Sequence, residues 1–83
     1  MAGRNTDPFK PIGRRLAALR TERRLTQRAL AELLGRPHSY VDKLELAERR
    51  LDVLDLQAFA LAFDMAPTRL LELLLEATKE ADA

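Results

Sequence analysis

At 83 residues the chain has room for one domain and one compact core, and so small a domain buries only about 60% of its unfolded surface, which makes association with a second copy stabilising. No cysteine and a single histidine exclude a disulfide framework, a thiolate metal site and a histidine zinc site, so neither a metal nor another cofactor is expected. No apolar run approaches the roughly 20 residues that span a bilayer, and the first eight residues lack a signal-peptide apolar region, so a cytoplasmic protein without a membrane partner is expected.

Hydrophobic residues at 47% and charged residues at 33% are an ordinary globular balance, so the chain is expected to fold. The net charge of +1 conceals an asymmetry: residues 1–50 hold twelve Lys or Arg against six Asp or Glu, net +6, and residues 51–83 hold two against seven, net −5, which together give +1. Such a polarised chain can turn a basic face towards a polyanion. The plainer alternative is that the charges solvate helices.

Residues 1–10 show no periodicity and are expected to form a flexible arm. Asp7 before Pro8, or Pro11 in a first helical turn, can start a helix to about residue 23, with Ile12, Leu16 and Leu19 on one face. Thr26 is a suitable N-cap for a short helix over 27–34, with Leu30, Leu33 and Leu34 on one side and Gly35 as its stop. Pro37 suits the entry to a third helix over about 38–46, with Val41, Leu44 and Tyr40 directed inward. Tyr40 is expected to pack, with its hydroxyl at the edge, since stacking on bases suits single strands.

Asp52 can cap a fourth helix over 53–63, with Asp55 three residues later favouring the positive end of its dipole. Leu56, Phe59, Ala60 and Phe63 make its core stripe. Met65, Ala66 and Pro67 form a turn, and a fifth helix follows over 68–79. Its Leu70, Leu71, Leu73, Leu74 and Leu75 exceed one core-facing stripe, so Leu71, Leu74 and Leu75 are expected at a homodimer interface. No segment alternates as a strand would, and the expected class is all-α with five helices.

A helix ended by Gly35 after two leucines, then a short turn and another short helix, has the spacing of a helix-turn-helix. The wording is more specific: Leu25-Thr26-Gln27-Arg28-Ala29-Leu30-Ala31-Glu32-Leu33-Leu34-Gly35, then Ser39-Tyr40-Val41-Asp42-Lys43-Leu44-Glu45, then Glu48-Arg49-Arg50-Leu51-Asp52-Val53. Over about residues 11–75 this resembles the Cro/repressor, or XRE-type, helix-turn-helix family, which includes phage repressors, restriction-modification controller proteins and antitoxins. The resemblance implies a lambda-repressor-like domain whose third helix enters the major groove of double-stranded DNA.

The base-reading positions are then His38, Ser39, Asp42 and Lys43: lysine can donate to guanine, and serine and histidine can donate or accept. For His38 the plainer alternative is a solvated helix-start residue. Gln27 matches the glutamine with which the family holds the DNA backbone, and Arg28, Arg36, Arg49 and Arg50 are further phosphate candidates. Arg20 and Glu45 match a largely buried ion pair that fixes the third helix against the first, a structural role.

Three positions depart from the family pattern. Asp42 stands where serine is common, and a carboxylate facing phosphates is repelled, although it can accept from cytosine N4. Ala47 stands where glycine permits a left-handed turn, and Leu46 where a polar or basic residue is usual, so the third helix is expected to run slightly longer. The expected function is a transcriptional regulator, a repressor in the first instance, binding a two-fold operator as a homodimer. The alternative is a protein-interaction module on the same scaffold that sequesters a toxin or a transcription factor. An enzyme is not expected, because no acid-base pair, activated nucleophile or glycine-rich phosphate loop is present.

Overall fold

The computed structural model describes residues 7–82, which fold into five helices: α1 (Phe9–Glu22), α2 (Gln27–Leu34), α3 (His38–Glu45), α4 (Val53–Ala62) and α5 (Pro67–Asp82). Among the described residues there is no strand. Residues 1–6 of the expected arm lie outside the described residues. The rest of that segment is not an arm: Asp7 Oδ1 accepts the Phe9 backbone N–H at 2.9 Å, so the helix starts at Phe9 and not at Pro11.

Four of the helices stop in the same way. Each is followed by one residue with left-handed backbone, Arg24, Gly35, Ala47 or Asp64, at φ between 58° and 68°. Around each, the next N–H reaches back across the turn, Leu25 to Arg20 O, Arg36 to Ala31 O, Glu48 to Lys43 O and Met65 to Ala60 O. This is the Schellman arrangement, which satisfies carbonyls that the helix end would leave unpaired. Only one of the four residues is glycine. Ala47 therefore makes the turn that glycine makes elsewhere, at a cost of about 1 kcal/mol, and α3 ends at Glu45 without the expected extension.

α1 packs along α5 and across α3, α2 packs on α3 and α4, and α4 packs on α5. Leu16, Leu30, Val41, Phe59, Leu70 and Leu74 fill the centre. Phe59 meets Phe63 edge to face at 5.8 Å and Tyr40 at 6.2 Å, within the range where aromatic pairs attract. Gly13 brings α1 against the backbone of α3. A Cβ there would lie 2.8 Å from the Leu44 carbonyl oxygen and closer still to Glu45 O, so the contact needs a residue without a side chain.

Two leucines lie elsewhere than expected. Leu33 is exposed, because the buried side of α2 turns from Leu30 towards Ala31 and Leu34, and Leu33 falls on the other side of Leu30. Leu74 is only 2% exposed and belongs to the core beside Leu70, which corrects its placement at a dimer interface: Leu70, Leu74 and Ala77 form the inward row of α5. Leu71 and Leu75 remain on the surface at 43% and 48% exposed.

Candidate nucleic-acid interface

α3 divides its residues cleanly. Tyr40, Val41 and Leu44 are buried, so His38, Ser39 and Lys43 necessarily point outward and are exposed. None of these three makes a side-chain hydrogen bond or ion pair among the described residues. Arg28 in the first turn of α2, Arg36 in the turn before α3, and Arg49 and Arg50 after it are exposed too.

Thr26 fixes the entry to α2 by accepting the Ala29 N–H at 3.0 Å. The first turn of that helix presents unpaired amides and the positive end of the dipole, which suit an anion.

Arg20 and Glu45 form the expected pair. Nε and Nη2 of Arg20 donate to Oε2 and Oε1 of Glu45 at 2.6 and 3.1 Å, and Nη1 donates to Leu25 O at 2.7 Å. The side chains are 13% and 6% exposed. A two-point guanidinium–carboxylate bond in such a setting fixes orientation as well as distance. Together with Gly13 it sets the depth and angle at which α1 holds α3.

The pair extends to two residues that the sequence places at the interface. Gln27 Nε2 donates to Glu45 Oε1 at 2.8 Å and to Asp42 Oδ1 at 3.2 Å. Asp42 is half-buried, and its Oδ1 is turned towards the protein instead of being free for a base. The family resemblance gave Arg20 and Glu45 as a pair and Gln27 and Asp42 as separate interface residues; that the four form one connected network was not legible from spacing.

A second cluster was only partly legible in the sequence. The Tyr40 hydroxyl is not at the edge: it donates to Oδ1 of Asp55, which is buried at the start of α4. Asp55 Oδ2 accepts the Asp52 N–H at 2.9 Å while Asp52 Oδ1 accepts the Asp55 N–H at 2.8 Å, a reciprocal capping box. Arg49 lies 3.5 Å from both Asp55 oxygens. Burial pushes the Asp55 carboxyl up, but the bonds from Asp52, Tyr40 and Arg49 outweigh it and hold the group below its ordinary value. Burial and the Asp55 carboxylate push the Tyr40 phenol up to about 12.

The guanidinium groups of Arg36 and Arg49 lie 4.9 and 5.2 Å from the centre of the Tyr40 ring, and that of Arg50 lies 5.2 Å from the Phe9 ring, distances at which a cation is attracted to an aromatic face. Three of the four candidate phosphate arginines are therefore steadied by an aromatic ring beneath them. The capping box was legible as the Asp52/Asp55 spacing, and the link to Tyr40 was not.

Among the described residues no group of three or more His, Cys, Asp or Glu could hold a metal ion, and no helix is long and apolar enough to cross a membrane.

Residues 11–74 match the family model of a helix-turn-helix domain. The structure is similar to the restriction-modification controller protein C.AhdI from Aeromonas hydrophila, with 35% identity and a TM-score of 0.70 over 75% of this chain and 94% of that one. It is similar to an XRE-family like protein from Pseudomonas syringae pv. tomato, with 38% identity and a TM-score of 0.72 over 83% of this chain and 84% of that one. The clp gene regulator ClgR from C. glutamicum shares the fold at 19% identity, with a TM-score of 0.76 over 88% of this chain and 95% of that one. A comparison with curated proteins finds no match. The outward row of α3, its arginine border and these likenesses have one meaning: the chain belongs to the XRE-type helix-turn-helix family of DNA-binding transcriptional regulators.

Proposed function

We propose that the protein is a cytoplasmic repressor that binds a two-fold operator as a homodimer. The observation that carries this reading is the row of His38, Ser39 and Lys43, exposed and without side-chain hydrogen bonds among the described residues, on a helix whose opposite side is locked into the core. In the major groove these three read base edges, while Arg28, Arg36, Arg49 and Arg50, with Gln27 at the start of α2, hold phosphates. Repression follows most simply, because occupying a promoter needs only tight binding.

Self-association is supported by apolar surface that a lone copy leaves in water. Leu71 and Leu75 stand one turn apart on α5, and a groove lined by Phe9, Ile12, Leu51, Leu56 and Val53 adjoins them. Exposed Leu54 and Leu61 add apolar surface on α4. Contiguous apolar surface of this kind marks interfaces. Leu46, exposed at the end of α3, favours the second reading, in which the same face captures a protein such as a toxin or another transcription factor.

Titration of the protein against its own upstream DNA at several salt concentrations separates the two. A dimer making six to ten phosphate contacts loses about 10³- to 10⁵-fold in affinity between about 50 and 200 mM salt, and prefers half-sites about one helical turn apart. Lys43→Ala is expected to cost about 1 to 3 kcal/mol with relaxed specificity, and Arg50→Ala to weaken all sequences alike. Absent or salt-insensitive binding favours the protein partner.

A further inference from the structure

Gln27 opens α2 beside Arg28, where a phosphate would meet the helix start. Its Nε2 carries two hydrogens and no more. One goes to Glu45 Oε1 and the other to Asp42 Oδ1, so the nitrogen has none left for a phosphate oxygen.

The two acceptors differ. Glu45 is nearly buried, neutralised by the two-point bond from Arg20, and bound to Gln27 at 2.8 Å. Asp42 is bound at the longer 3.2 Å and has no ion-pair partner among the described residues. Its charge is opposed only by a neutral amide. Of the two bonds, the one to Asp42 is the one an incoming anion displaces, because it is the longer and is not reinforced by a guanidinium on the same carboxylate.

We infer that Asp42 is a positioning residue that competes with DNA for the Gln27 amide. On binding, one Nε2 hydrogen passes from Asp42 Oδ1 to a phosphate oxygen, while the bond to Glu45 keeps the side chain in place. The exchange sacrifices an internal bond and brings phosphate near an uncompensated carboxylate. Asp42 thereby lowers affinity for every duplex and does not select among bases. The inference rests on the DNA-binding reading above.

The test is a double-mutant cycle of wild type, Asp42→Ala, Gln27→Ala and the double variant, measured on the upstream duplex and on an unrelated duplex of equal length. Asp42→Ala is expected to tighten both complexes by about three- to tenfold, the value of one modest hydrogen bond, and to lose most of that gain when Gln27 is absent. In the free protein the Gln27 side-chain amide resonances are expected to move in Asp42→Ala. An equal gain with and without Gln27, a change confined to the upstream duplex, or a weakening by Asp42→Ala overturns the Asp42 assignment alone. Failure of wild type and Asp42→Ala to bind any duplex at low salt overturns the DNA-binding reading and the inference with it.

Discussion

In α1–α3 the helices are joined by directional polar bonds: Arg20 holds Glu45, Glu45 holds Gln27, and Gly13 lets two backbones touch. α4 and α5 meet each other through packed leucine and phenylalanine and leave apolar side chains at the surface, although Arg15 of α1 ties α5 by donating to Leu73 O at 3.0 Å and to Glu80 Oε1 at 2.7 Å. On the proposed function, the first half surrounds a helix whose outward residues meet a patterned surface at fixed depth, which bonds with preferred angles achieve and interchangeable apolar contacts do not. The second half closes the core and offers non-directional surface, which suits association with another copy. Tyr40 and Asp55 join the halves across the α3–α4 turn.

Breaking the polar half has the largest expected effect. Glu45→Ala leaves the Arg20 guanidinium buried without its carboxylate and is expected to destabilise the fold by about 3 to 5 kcal/mol in urea unfolding. A parent-like midpoint would show that α3 is held by packing alone. In the apolar half, Leu71→Glu with Leu75→Glu is expected to weaken self-association about a hundredfold in sedimentation without lowering helix content. Unchanged mass at equal concentration moves the interface to Leu54 and Leu61 on α4.

Tyr40→Phe tests the bridge between the halves. It removes one donor from buried Asp55 and is expected to cost about 2 kcal/mol near neutral pH. Because the folded Asp55 pKa is lowered, its contribution is present above the unfolded value of about 4 and is lost as pH falls through the folded value. The Tyr40 pKa is raised, so its contribution is present below about 10 and disappears as pH climbs towards about 12. Acid and alkaline unfolding curves of Tyr40→Phe against the parent check both limbs. The smallest effect is expected at Ala47→Gly, which relieves the left-handed strain after α3 and raises stability by about 0.5 to 1 kcal/mol. A loss instead would mean that the added chain entropy outweighs the strain.

The positions of the helices were legible because their signals are local: Thr26 and Asp52 as caps, Gly35 as a stop, and apolar residues three and four apart. The other three helix ends were less so. Arg24, Ala47 and Asp64 adopt the glycine conformation without being glycine, and the tertiary structure, not the residue type, holds them there. In the site, the outward residues of α3 followed from the inward ones. The destinations of polar side chains did not, since Gln27 to Asp42 and Tyr40 to Asp55 are contacts between separate helices. Leu74 was misplaced for a related reason: five leucines in six positions show that some must be exposed, but only the packing of α5 on α1 and α4 decides which.

The bare contact at Gly13 separates what is held from what is spelled. The α1–α3 spacing is fixed by backbone, so the depth of α3 does not depend on the identity of His38, Ser39 or Lys43. On the proposed function, the residues at those positions can be exchanged for others without refolding the domain, so that surface substitution alone would change the operator. Asp42 is the exception: tied to Gln27, it cannot be rewritten without altering the grip on every sequence at once.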